Sequence, residues 1–239
     1  MEAPETRSVA EHIGELRTKL LIAVGAAIAG AIVTHYFHTQ IIAFLLRPIG
    51  SQELVFLSPL EPLLFILKID VIGGVLIAFP IIIWCLFSFI APAIAHKTRK
   101  LLVTFCLFSL LLLIIGLLYA FLVTIPLSLK FLSSITIEGI RNQISAQSYI
   151  GFFISQALII AGIFQIPILI IGGTYLRILR TAFIKNKRRY IYLGAIIGLA
   201  VITPTTDLFS LAIVLVPCLA IFEVSLIGAR IVERVRARS

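Results

Sequence analysis

The residues of this chain that could do chemistry are few, and they stand at the edges of long apolar runs. In "AEHIGELRTKLLIAVGA", residues 10–26, Glu11, His12 and Glu15 lie on the polar side of a helix whose apolar stripe is Val9, Ile13, Leu16 and Leu20. Ser8-Val-Ala-Glu11 has the pattern of a capping box that starts this helix. Spacing alone leaves two readings open. Glu15 can pair with Lys19 at i,i+4 on the helix surface, worth about 0.3 to 0.5 kcal/mol. Alternatively, the carboxylates form an anionic site at the membrane surface, open to a cationic ligand.

Other chemistry is excluded by inventory. His35 and His38 stand at i,i+3 and could share a metal, but no carboxylate or thiol is near them in sequence, so they read as interfacial residues. Cys85, Cys106 and Cys218 all lie inside apolar segments, without metal-ligand spacing or a context for a bridge. The chain has no H-E-x-x-H, no G-x-S-x-G and no G-x-x-x-x-G-K-[ST]. The expectation is a protein that is not an enzyme and needs no cofactor or metal.

The elements that must position the carboxylates are membrane helices. Of 239 residues, 60% are hydrophobic and 13% charged, which is the composition of an integral membrane protein. The net charge of +9 comes from short basic clusters between apolar runs, a topology signal that calls for no nucleic acid. The opening "MEAPETRSVAEHIGEL" is acidic and amphipathic, unlike a cleavable signal peptide, so the N-terminus is expected to be mature and inside.

Apolar runs near the length of a bilayer crossing predict helices at about 20–37, 63–90, 101–125, 150–176 and 208–228. A sixth run at 190–203 has 14 residues, about 21 Å of helix against a hydrocarbon core of about 30 Å. Charge decides that it crosses. With six spans and the N-terminus inside, every basic residue faces the cytoplasm except Arg47, Lys130 and Arg141 outside and Lys68 within a span. With five spans, Arg230, Arg234, Arg236 and Arg238 would lie outside. The expected fold is therefore all-α: one integral membrane domain over 1–239, six transmembrane helices and both termini cytoplasmic. Residues 1–19 form an amphipathic cytoplasmic segment and 229–239 a tail, and the bilayer thins at the short fifth span.

Polar residues within the spans are expensive, about 3 kcal/mol for an ionised group at the bilayer centre. They are Glu61, Lys68, Asp70, Gln165 and Glu223. Glu61 and Lys68 are seven apart on one helix face near the outer end of the second span, where snorkelling or mutual pairing accommodates them. Gln165 is close to the middle of the fourth span, where its amide needs a partner on another helix or in a water-filled recess. Pro80, Pro167 and Pro217 predict bent helices and concave surfaces. Gly194 and Gly198 give the short fifth span a flat face for helix packing. A secondary transporter or ion channel built on Glu61, Lys68 and Gln165 is the rival reading, but it would lead one to expect an inverted repeat, and none is apparent.

Taken together, "EHIGELRTKL", "LLRPIG", "SPLEPLLFILK", "FPIIIWCLFSFIAPAI", "IFQIP" and "ITPTTDLFSLAIVLVPCLAIFE" resemble, in order and over nearly the whole chain, the TatC family, the multispanning core subunit of the twin-arginine protein translocase. The resemblance implies six helices in a bent, concave arrangement in the cell (inner or plasma) membrane. It also implies a cytoplasmic patch, from the N-terminal segment and the first cytoplasmic loop, that receives the arginine pair of a signal peptide on folded cargo. Glu15 would take a guanidinium in bidentate hydrogen bonds, and Leu16, Arg17, Phe89 and Pro92 would shape the patch with Thr98 beside them. Single-span partners of the TatA and TatB type would pack along spans four to six, touching Phe164, Gln165, Gly194, Gly198, Pro204 and Asp207. Energy would come from the proton gradient, and several copies of the chain could assemble in the complex.

Two departures from the family pattern stand out. Where the family usually has a glutamate before a basic pair, this chain has Thr98 among Lys97, Arg99 and Lys100. Where it usually has phenylalanine then glutamate, this chain has Phe164 then Gln165. Half of the expected anionic pair is missing, so binding of the arginine pair should rest chiefly on Glu15.

Overall fold

Backbone in hydrocarbon must satisfy its own hydrogen bonds, so the apolar runs fold as helices. The computed structural model of the chain describes residues 9–50, 53–90, 98–135, 143–175, 179, 181–203 and 207–238. Among these, five helices are long and apolar enough to cross a membrane, within Ile13–Tyr36, Glu61–Phe89, Val103–Ser134, Ala146–Tyr175 and Leu208–Val235. Their outward side chains, such as Leu21, Ile28 and Ile32, are large, apolar and exposed, a surface suited to lipid. The chain is a polytopic helical membrane protein. It divides into two compact units, Met1–His38 with Ile66–Leu107, and Thr39–Phe65 with Phe108–Ser239.

The first unit is built on α1 (Val9–Tyr36) and α3 (Glu61–Ile90). The amphipathic segment and the first span, expected as separate pieces, form one helix, because no proline interrupts the sequence between them. Its 28 residues cover about 42 Å, more than the hydrocarbon core, so about two turns extend past the apolar layer. Helices α1 and α3 run antiparallel and meet where side chains vanish. A Cβ on Gly30 would lie 2.6 Å from the Gly74 carbonyl oxygen, and one on Gly73 would lie 2.5 Å from Thr34 Cγ2. Just beyond this crossing, His35 Nδ1 lies 2.7 Å from the Asp70 carboxylate. The start of α4 (Thr98–Tyr119) completes the unit, with Phe105 stacked on Phe87 at 5.7 Å.

The second unit opens with α2 (His38–Leu45), a 3₁₀ turn at Arg47–Ile49 and β1 (Leu54–Val55). β1 pairs in parallel with β2 (Ile144–Ser145), a two-residue bridge that apolar patterning did not foretell. The third span, expected to end near 125, continues through a π-helical turn, Ala120–Thr124, into α5 (Ile125–Ser134). Pro126 stands just after that turn; it has no N–H and clashes with the carbonyl four residues back, which a π turn relieves. The fourth span is α6 (Ala146–Phe164) and α7 (Ile166–Tyr175), broken at Gln165 ahead of Pro167. Pro80 and Pro217, by contrast, sit inside unbroken helices.

Then come α8 (Thr181–Asn186), α9 (Arg188–Ile202), which covers the run expected as a short fifth span, and α10 (Leu208–Arg238). The main core packs Tyr149, Phe153, Ile160 and Phe164 of α6 against Ile125, Leu199, Val214 and Cys218. The Tyr149 hydroxyl donates to the Leu45 carbonyl at 2.5 Å, tying α6 to the end of α2. A second cluster of Ile170, Ile184, Phe222, Leu226 and Ala229 fixes α7 and α8 on α10.

Candidate functional site

The antiparallel crossing of α1 and α3 sets the height of the residues expected to bind a cationic ligand. Glu15 lies 15 residues before Gly30, and Phe89 lies 15 residues after Gly74. At about 1.5 Å per residue, both stand roughly 22 Å from the crossing, on the same side of it. Glu15 is half-buried, Leu16 and Arg17 are exposed, and Phe89 is half-buried at the last turn of α3. Ile13, Leu16 and Leu20 are all exposed, so the apolar stripe of α1 faces away from its own unit. Glu15 stands on the other side of α1, where its carboxylate can receive a cationic ligand. Pro92 lies outside the described residues, as does the side chain of Thr98, whose backbone begins α4.

Gln165 has a partner within the chain. Ser109 Oγ donates to Gln165 Oε1 at 2.6 Å, and Gln165 Nε2 donates to the Ser109 carbonyl at 3.2 Å. Ser109 is buried on α4, so the amide joins the third span to the break between α6 and α7. The hydrogen bond that the sequence would lend to a separate partner helix is thus made internally. Phe164 is buried as well: a Cβ on Gly116 would lie 3.0 Å from Phe164 Cβ.

The glycines of α9 are different. Nothing lies within 4 Å of where a Cβ on Gly194 or Gly198 would be, so this face of the helix is open. Asp207 caps α10, its Oδ1 accepting from the Ser210 N–H at 2.6 Å. Pro204 lies outside the described residues.

The remaining polar groups of the spans find separate local roles. Glu61 accepts from the Leu57 N–H at 2.8 Å, and Lys68 is exposed. With Gln165 held by Ser109, the groups that motivated a transporter do different structural jobs. Sequence reasoning missed the partners of Glu223, which accepts from Arg188 Nη2 at 2.6 Å and from the Tyr192 hydroxyl. A basic residue 35 positions away on the next helix leaves no local pattern to find. It also missed a buried polar set in the second unit, Thr124, Ser128, Gln156 and Ser210, whose side-chain atoms find no partner among the described residues.

Comparison with known proteins adds a family. The model of the Sec-independent protein translocase protein (TatC) matches residues 11–217. The chain is similar to the Sec-independent protein translocase protein TatC of Carboxydothermus hydrogenoformans, 28% identical over 225 residues that cover 93% of each chain. It is also similar to the protein of that name from Aquifex aeolicus, 28% identical over 230 residues, 94% of this chain and 95% of that one. Among solved structures it is similar to a crystal structure of the twin arginine translocase receptor TatC, with a TM-score of 0.79 and 27% identity, covering 92% of this chain and 99% of that one.

Proposed function

The chain belongs to the TatC family of Sec-independent protein translocase proteins, and from that premise we propose that it receives the arginine pair of a signal peptide where α1 and α3 end on the cytoplasmic side. It is a multi-pass, non-enzymatic component of a protein translocase. The observation that carries the proposal is the antiparallel crossing at Gly30 and Gly74, which brings Glu15 and Phe89 to one level.

Chemistry makes Glu15 the discriminating group. A guanidinium presents a planar fork that matches a carboxylate bidentately, while an ammonium is a hydrated point charge. Hydrogen bonds to charged groups contribute about 1.5 to 3 kcal/mol, enough for Glu15 to prefer arginine over lysine at that position. Six crossings, with both termini cytoplasmic, put this patch on the side where cargo is made, a reading supported by the distribution of basic residues.

Single-span partners of the TatA and TatB type dock, on this reading, along α9, where Gly194 and Gly198 leave room for a helix to approach closely. Phe164 and Gln165 support that surface from within, and Asp207 does so by capping α10. The proton gradient supplies the energy, as the family resemblance implies. The test is a pull-down of the purified chain with a twin-arginine signal peptide and with its twin-lysine variant. Retention of the first and loss of the second is expected. Equal retention of both would remove the guanidinium site.

A further inference from the structure

We propose that the recess between α8 and the last turns of α10 binds the phosphate of an anionic phospholipid. The recess is about 370 Å³ and is lined by Thr181, Ala182, Lys185, Arg230, Glu233 and Arg234. Three cations there face one carboxylate. That carboxylate, Glu233, is engaged by the hydroxyl of Thr181, which donates to it. Among the described residues, Lys185, Arg230 and Arg234 form no ion pair, whereas Arg188 nearby is matched by Glu223 at 2.6 Å. The recess therefore holds an excess of positive charge that the fold leaves unneutralised, and its oxygen-binding donors converge from two helices. Such a set fits a phosphate with several anionic oxygens.

The level of the recess points to a lipid. Arg230 lies 22 residues beyond Leu208, where α10 begins, and 22 residues of helix cover roughly 33 Å. This is close to the hydrocarbon thickness of about 30 Å, so the recess opens at headgroup depth. On the apolar side of that level, Val224 and Ile227 of α10 are exposed, and so are Ile231 and Phe183 beside the recess. Acyl chains would lie against these side chains while the phosphate entered the recess. Ile184, buried against Phe222, Leu226 and Ala229, fixes α8 on α10 and holds Lys185 in place. Basic pockets between membrane helices on the cytoplasmic side are known to take anionic headgroups.

The test titrates the full-length, delipidated chain in detergent with phosphatidylglycerol and with phosphatidylethanolamine, and native mass spectrometry counts bound lipid. The parent is expected to bind its first phosphatidylglycerol about 25-fold more tightly, since each positive charge near anionic lipid contributes roughly fivefold and the recess carries two in excess. Lys185→Gln, Arg230→Gln and Arg234→Gln together should bring the two lipids to within about twofold. An unchanged preference in that variant would overturn the site. Should the triple variant fail to fold, Glu233→Gln decides. Its amide oxygen still accepts from Thr181, the recess gains one net positive charge, and the preference for phosphatidylglycerol should rise several-fold. No rise would overturn the proposal. Release of phosphatidylglycerol by millimolar inorganic phosphate would assign the recess to a soluble phosphate and overturn the lipid.

Discussion

Gly30 of α1 and Gly74 of α3 touch backbone to backbone: a Cβ on Gly74 would lie 2.5 Å from Ala31 N and 2.6 Å from the Ala27 carbonyl oxygen. Neither atom belongs to a flexible side chain that could move aside, so the two helices must separate to admit any larger residue. Gly74→Leu should destabilise the chain by about 1 to 3 kcal/mol, the usual cost of overpacking. Thermal unfolding in detergent measures this. The same variant should weaken signal-peptide binding without altering any charge. Gly25→Ala, where the added methyl meets nothing within 4 Å, should leave both unchanged.

The bond between Ser109 and Gln165 makes a second prediction. Ser109→Ala, Gln165→Leu and the double variant form a thermodynamic cycle whose coupling should be about 0.6 to 1.7 kcal/mol, the range for hydrogen bonds between membrane helices. The cycle reads stability of the isolated chain, because both groups belong to it. Crosslinking to a single-span partner should persist in Gln165→Leu protein that is still folded. A coupling near zero would mean that the amide spends its hydrogen bonds elsewhere.

Topology follows from charge. Reporters fused after Arg189 and after Arg238 should both read cytoplasmic, and one inserted near Thr205 should read external. A cytoplasmic reading at Thr205 would remove α9 as a crossing, and with it the local thinning that a helix of 15 residues, about 22 Å, requires.

Asp207 tests the N-terminal end of α10. Its carboxylate accepts from the Ser210 N–H, so Asp207→Ala should cost about 0.5 to 2 kcal/mol, the loss of an N-cap. Asp207→Asn, which keeps an accepting oxygen, should recover most of this in the same denaturation assay.

The spans were legible because a bilayer imposes length and apolarity on each segment independently, so runs such as 63–90 and 208–228 declare themselves without knowledge of their neighbours. Glu15 was singled out on a local signal too, as a carboxylate on the polar side of a helix entering hydrocarbon. Long-range pairings were not. Asp70 needs His35, Gln165 needs Ser109 and Glu223 needs Arg188, and separations of 35 to 56 residues leave no periodicity to find. Which polar group answers another depends on how the helices pack. The π-helical turn before Pro126 and the bridge between β1 and β2 were hidden for the same reason. Each is a local adjustment to tertiary contact, and two-residue strands carry no alternation of their own.

On the proposed function, the carboxylate of half-buried Glu15 takes a guanidinium of the signal peptide. Lys97, Arg99 and Lys100 stand near Thr98 in sequence and repel a doubly positive ligand, over a screening length of about 8 Å at physiological salt. Glu15 would then carry the recognition. The measurement is binding of a twin-arginine signal peptide to the purified chain, compared among the parent, Glu15→Gln and Thr98→Glu. The account predicts that Glu15→Gln abolishes specific binding and that Thr98→Glu strengthens it by supplying a second carboxylate. Binding by Glu15→Gln equal to that of the parent would contradict it, and would reduce Glu15 to a helix-surface charge.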